Sequence, residues 1–329
     1  MNMILNVKEA SVCILDYIYN KMRSFFLRPK WFAYSLFLFT SLPFIGAEEP
    51  SVLNFSVYSS IGLGNLGEYV YSGEHTLSYL EWDLLPVGGI GIDVEFTAAN
   101  GFYIGGGYES FLPGKTGTME DSDWEIIGSD EKTVFSSHDA FLTGGYGADL
   151  RLGVQLLNNA DYRALLYFGY IRKYSSMEGR DGYVEDPPGS EREDVYGVGI
   201  AYSQLYRIPH LGLQFGKTIS RRFLLNFHGR FSPFTSIHAL DHHYKRDRDF
   251  YDTMKNGVFL EVKSELEVLI KKNQYCFLAL TYTGVPEFRG STYIINTVTG
   301  ERSDTFEGTG GTSLSLFQVI LGYRIKLPG

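Results

Sequence analysis

The sequence predicts an all-β protein, a ten-stranded antiparallel transmembrane β-barrel with long extracellular loops, and three observations carry that expectation. Tyr and Phe number 24 each beside 37 Gly and only 11 Pro, while mean hydropathy is close to zero, so aromatics abound without an apolar block beyond the N-terminus. From Leu53 onward small or polar residues alternate with aromatic and aliphatic ones, as around Phe55, Val57, Ile61 and Leu63. That two-residue period suits a strand with one face toward lipid, and helical periodicity is scarce. The connections alternate between tight polar turns and long loops, the arrangement of outer-membrane barrels with short turns inside and long loops outside.

Residues 1–47 are expected to be an N-terminal extension and export signal, with Met22 as the true start and the barrel over 48–329. Arg23, Arg28 and Lys30 precede the apolar run Trp31 to Ile45, and Gly46-Ala47 offers a small-residue cleavage site. A membrane anchor is the other reading, but the run is short for a span of about 20 residues. Removing the segment, which holds five basic and two acidic residues, leaves 24 Lys and Arg against 36 Asp and Glu, a net charge of −12. An acidic exported protein suits cationic partners and not nucleic acid. Cys13 falls in the removed segment, so Cys276 alone remains and neither an intramolecular disulfide nor a cysteine metal site can form.

The first strand is expected from Leu53 to about Tyr71, followed by a short connection around Ser72 to His75. The second runs from Thr76 to Ala98, with Pro86 and Gly88-Gly89 marking a bulge or kink. Asn100-Gly101 makes a hairpin turn into the third strand, Phe102 to Leu112, and a polar loop follows from Gly114 to Ser136. The fourth, Ser137 to Leu157, turns at Asn158–Asp161 into the fifth, Tyr162 to Met177, which ends in a loop with Pro187-Pro188-Gly189. The sixth covers Asp194 to Ile219, the seventh Phe223 to Ser236 and the eighth Met254 to Ile270. The ninth, Tyr275 to Arg289, and the tenth, Thr312 to Lys326, are separated by a last long loop. Many of these strands exceed the roughly 9 to 11 residues that cross a membrane, so the surplus is expected to lift the loops above the bilayer.

With the N-terminus inside, the loops after the third and seventh strands open on the same outer side. The first holds Met119-Glu120-Asp121-Ser122-Asp123-Trp124-Glu125 and the second holds Asp241-His242-His243-Tyr244. Two aspartates that approach one another out of water repel, so that the pair shares a proton and can hold a water molecule. A carboxylate bonded to one ring nitrogen of a histidine fixes the tautomer and raises the basicity of the other. Each motif alone also fits a solvated loop. Zinc is a third reading, since His238, Asp241, His242 and His243 lie within six residues, with His138 or His228 as further ligands. No Gly-x-Ser-x-Gly elbow or reactive cysteine is present, so a dyad here has to activate water.

These stretches resemble the omptins, outer-membrane aspartate and histidine endopeptidases built on ten-stranded barrels. The resemblance runs from about Ser51 to the C-terminus through GLGNLGEYVY (62–71), LEWDL (80–84), MEDSDWE (119–125), LLNNADYR (156–163), RIPHLGL (207–213) and DHHY (241–244), in family order. It implies that Asp121 and Asp123 are the catalytic couple facing an Asp241–His243 dyad, with His243 the base toward a water that Asp121 positions. It implies further that Glu68 contacts a basic side chain before the cut, while Ala239 and Val134 stand where the family carries additional pocket acids. Omptins use lipopolysaccharide bound on the barrel exterior; Tyr170, Arg172 and Lys173 fit that cluster, and Leu205 replaces an arginine.

The resulting expectation is a monomeric outer-membrane endopeptidase with its site facing the cell exterior. Its partners would be peptides or proteins with basic residues and outer-membrane lipid, without a metal or other cofactor beyond that lipid. The rival from another class is a non-catalytic surface barrel, an adhesin or a small porin.

Overall fold

A computed structural model describes residues 51–328, and the expected signal segment 1–47 lies outside the described residues. The strands are β1 (Val52–Ser72), β2 (His75–Asp83), β3 (Val87–Thr97), β4 (Phe102–Phe111), β5 (Gly114–Asp123) and β6 (Val134–Asn158). They continue as β7 (Tyr162–Glu185), β8 (Glu193–Thr218), β9 (Phe223–His243), β10 (Arg248–Lys271), β11 (Gln274–Asn296) and β12 (Phe306–Pro328). All pairings are antiparallel, and β12 returns to β1 from Val52 opposite Pro328 to Val70 opposite Gly310, which closes the barrel.

Twelve strands make ten staves. The expected second strand is β2 followed by β3, and the expected third is β4, whose stave continues upward as β5, with Pro86 and Pro113 in the two gaps. A proline has no N–H to give to the ladder, so each stave breaks there. Backbone bonds knit the seam: Leu84 N–H donates to Gly64 O at 2.9 Å, Leu85 N–H to Thr116 O at 2.8 Å and Leu112 N–H to Gly88 O at 2.9 Å. Below the seam β1 pairs with β3, and above it with β2, which pairs in turn with β5.

Two segments expected as loops are sheet. Gly114–Asp123 is strand β5, paired with β2 on one side and β6 on the other, and β9 continues seven residues past Ser236 to His243. Their polarity suggests a loop only if the outer face of a strand must be apolar. Above the bilayer that face meets water, and two-sided pairing satisfies the backbone. The same upward extension carries β7 to Glu185, starts β10 at Arg248, carries β11 to Asn296 and starts β12 at Phe306.

The lower half carries the lipid-facing band. Phe55, Val57, Ile61 and Leu63 on β1, Leu211, Leu213 and Phe215 on β8 and Leu278, Leu280 and Tyr282 on β11 all face outward and are exposed. Inside this band the lumen is filled by ion pairs that reach between staves. Arg151 joins Asp93 and Glu95, Arg230 bridges Asp149 at 3.1 Å and Glu261 at 3.3 Å, and Arg324 joins Glu265 at 2.8 Å and Glu267. Above them Leu66, Leu84, Phe111, Leu142, Leu314 and Leu316 form a dry layer. Paired charges capped by an apolar layer make a plug, not a channel.

Candidate active site

On the dry layer rests a polar floor. Trp82 of β2 and Tyr202 of β8 stack across the barrel with ring centroids 6.0 Å apart and planes 12° from parallel. Gln204 fixes the layer beneath: its Nε2 donates to the Tyr202 hydroxyl and to Thr312 Oγ1, both at 2.7 Å, and its Oε1 accepts from Tyr206. Thr312 in turn donates to Gly67 O at 2.8 Å, which ties the floor to β1.

Above the floor the sheet register places the candidate residues. On one wall Glu68 of β1, Leu80 of β2 and Asp121 of β5 share a row, and Ser136 of β6 continues it. On the other wall Asp241 of β9 lies between Tyr202 of β8 and Phe250 of β10. The single-residue alternation of β9 puts Asp241 and His243 on the inner face and turns His238 and His242 outward. His243 Nε2–H donates to Asp241 Oδ2, and the imidazole meets the Phe250 ring edge-on at 5.1 Å. Asp241 is 3% exposed, and its Oδ1 has no protein partner.

The aspartates on the facing wall are held by their neighbours. Ser78 Oγ donates to Asp121 Oδ1 at 3.0 Å, while the Asp123 carbonyl accepts from the Thr133 N–H at 2.8 Å. Burial and then repulsion from Asp123 push the Asp121 carboxyl up to about 7, against the Ser78 hydrogen bond and the cationic influence of His243 and Arg246. Burial also raises Asp123. A carboxyl poised near neutrality can hold a proton or release it at little cost.

Glu68 is 2% exposed, and its Oε2 is unpartnered. Its carboxyl is raised well above the ordinary range by burial and then by Asp241, Asp252 and Asp121. Ala239 is a buried inner-face residue directly opposite Asp252 of β10, and Val134 pairs with Asp123. Asp252 lies ahead of Met254, where the eighth strand is expected to begin, and its alternation with Met254 on an inward face is the signal the sequence offers. Trp82, Tyr202 and Gln204 were also missed, since their contacts join distant staves.

The zinc grouping does not assemble. His238 and His242 lie on the opposite face of β9 from Asp241 and His243, and His242 pairs outside with Asp249. His228 sits 13 residues below Asp241 on β9, about 40 Å along an extended strand. His138 is committed otherwise, with Nδ1–H donating to Asp181 O at 2.7 Å and Nε2 accepting from Ser136 Oγ at 3.1 Å. Of the exterior cluster, Tyr170 and Arg172 face outward, but Lys173 turns inward and lies over the Phe111 ring at 5.2 Å.

The Omptin family model matches residues 51–327, nearly the whole described barrel. The chain belongs to the omptin family. This omptin is 25% identical over 280 residues to the plasminogen activator of Yersinia pestis, covering 83% of this chain and 89% of that protein. It is 24% identical over 288 residues to the outer membrane protease IcsP of Shigella flexneri, covering 81% and 88%. The crystal structure of the outer membrane protease OmpT from Escherichia coli superposes with a TM-score of 0.79 at 21% identity, covering 86% of this chain and 99% of that one, which shows a shared fold. As an omptin the protein is an outer-membrane barrel. Its tight turns mark the periplasmic end, and the cleft between β5 and β9 opens at the other, toward the cell exterior.

Proposed function

We propose that this omptin is an endopeptidase that hydrolyses peptide bonds with a water molecule activated between His243 and Asp121, preferring a basic residue before the cut. The observation that carries the reading is the inward placement of two acid pairs on facing walls above one floor, Asp121 with Asp123 on β5 and Asp241 with His243 on β9. With Nε2–H given to Asp241, Nδ1 of His243 is the ring nitrogen left to take a proton from water. Asp241 orients the ring and supports the imidazolium that forms. Asp121, near neutrality, holds the water on its other side, and Asp123 tunes that carboxyl. The resulting hydroxide attacks the peptide carbonyl, and the proton on His243 passes to the leaving amine.

The protease relatives support peptide hydrolysis over adhesion, and the filled lumen disfavours the porin reading. The buried carboxylate of Glu68 supports a cationic side chain in the cleft. On the exterior, Arg172 of β7 lies in register with Arg207 of β8, and Tyr170 faces outward nearby. That pair supports contact with lipid phosphate, in place of the arginine absent at Leu205.

The test is cleavage of fluorogenic peptides by wild type, His243→Ala and Asp121→Ala, each refolded in detergent with lipopolysaccharide. Loss of a general base lowers turnover by roughly 100- to 10,000-fold. Equal turnover by all three proteins would sink the proposal.

A further inference from the structure

Most enclosed carboxylates below the floor have a cationic partner, Glu109 with its Ser60 hydrogen bond being an exception, while above the floor the pattern changes. In the lower lumen Asp93, Glu95, Asp149, Glu261, Glu265 and Glu267 each meet an arginine or lysine. Above the Trp82–Tyr202 floor, Glu68 and Asp252 are buried just as deeply, yet among the described residues no lysine or arginine forms an ion pair with either. A buried carboxylate without a counter-ion is costly, so it either keeps a proton or is ionised only when a bound cation supplies the missing charge.

Asp252 is built into its place. It faces inward on β10 between Ala239 of β9 and Thr292 of β11, and Thr292 Oγ1 donates to its Oδ1 at 2.5 Å. Ala239 has no side chain long enough to compete for the space. Gly310 of β12 gives the carboxylate its room: a Cβ there would stand 2.4 Å from Asp252 Oδ1 and 2.6 Å from Thr292 Oγ1. Thr312, two residues along β12, is in register with Glu68, so the position against which Asp252 packs lies one side-chain row from that acid. Glu68 Oε2 is fully buried and unpartnered. The Trp82 and Tyr202 rings below present π-faces of the kind on which a cation rests.

We propose that Asp252 is a specificity-determining residue, which with Glu68 forms a carboxylate pair that receives the cationic side chain of a peptide substrate. The pair is completed from β10, opposite the small Ala239, and not from β9. A planar guanidinium can bridge two carboxylates on different strands, so arginine is the favoured occupant and lysine the weaker one. The inference rests on the peptide-hydrolase reading for the nature of the ligand, but it is tested by binding, which needs no turnover.

The experiment uses the full barrel refolded in detergent and a fluorescent peptide whose scissile bond is a reduced, uncleavable isostere. The varied position carries arginine or its neutral isostere citrulline, and anisotropy gives the ratio of the two affinities. Wild type is expected to prefer arginine by about tenfold or more, the scale of one charge-assisted contact. Asp252→Asn and Asp252→Ser both leave Thr292 a partner, and whichever refolds carries the test; the ratio should fall at least severalfold. The paired variant Asp252→Ala with Ala239→Asp returns an acid from β9 and should recover part of the preference. An arginine-to-citrulline ratio unchanged by loss of the Asp252 charge overturns the proposal. A normal ratio in a protein that cleaves no peptide overturns the hydrolase reading instead and leaves the pocket standing.

Discussion

Trp82 on β2 and Tyr202 on β8 meet across the lumen, 6.0 Å between centroids, and make the floor on which both walls of the cleft stand. Tyr202 is also in register with Asp241, while Trp82 lies two residues from Leu80, which is flanked by Glu68 and Asp121. The stack thus joins the strand below the acid wall to the strand beside Asp241. Trp82→Ala would leave a large void in a fully buried layer, and such truncations cost about 3 to 5 kcal/mol. The expected result is a lower unfolding midpoint together with slower peptide cleavage. A Trp82→Ala protein with both unchanged would show that the stack supports neither.

His242 and His243 each have an aspartate partner, Asp249 and Asp241 respectively, but on opposite faces of β9. Only the inward pair faces Asp121. His243→Ala should abolish peptide cleavage, whereas His242→Ala should stay within a few fold of wild type, because the outward pair sits among Tyr244 and Tyr251 and away from the cleft. The same assay in strong chelator should show full activity. Inactivation by His242→Ala, or by chelator, would mean that the base has been assigned to the wrong face or that a metal takes part.

The cleft acids give stability a direction with pH. Asp121 and Asp252 are both held up to about 7 by burial, while an unfolded chain gives up these protons near 4. Between those values the folded state binds more protons than the unfolded one, so stability falls as pH rises through the window. The cleft contribution should lower the thermal midpoint in detergent between pH 5 and pH 8, and Asp252→Asn should make the decline smaller. A decline as steep in Asp252→Asn as in wild type would place the acid in contact with water.

The lumen has arginine–carboxylate pairs where a porin has water. Refolded protein in planar bilayers should show no steady conductance, and Arg324→Ala, which leaves Glu265 only Lys263 and Glu267 only Lys326, should lower stability by less than the roughly 3 to 5 kcal/mol of a fully broken buried pair. Regular ohmic channels in the wild type would restore the porin alternative.

Much of the fold was legible. Two-residue alternation around Phe55 to Leu63, the turn at Asn100-Gly101 and the kink at Pro86 are local signals, and the ten staves follow from them. Strand ends above the bilayer were not legible, because there the outer face is wet and polar residues serve equally as strand or loop. Asp121 and Asp241 were therefore expected in loops, though they lie in paired sheet.

By itself the sequence determined the barrel, its closure by an even number of staves and the common outer side of the two acid motifs, and it offered Asp121, Asp123, Asp241, His243 and Glu68 as candidates through the family resemblance. It could do so because alternation, turn chemistry and short motifs are written within a few residues of one another. Only the tertiary structure decided which of two adjacent histidines faces the cleft, that Trp82 and Tyr202 form its floor, and that Asp252 stands beside Ala239 within reach of the space around Glu68. Those relations are set by register between strands far apart in the chain, where a shift of one residue would turn every side chain to the opposite face.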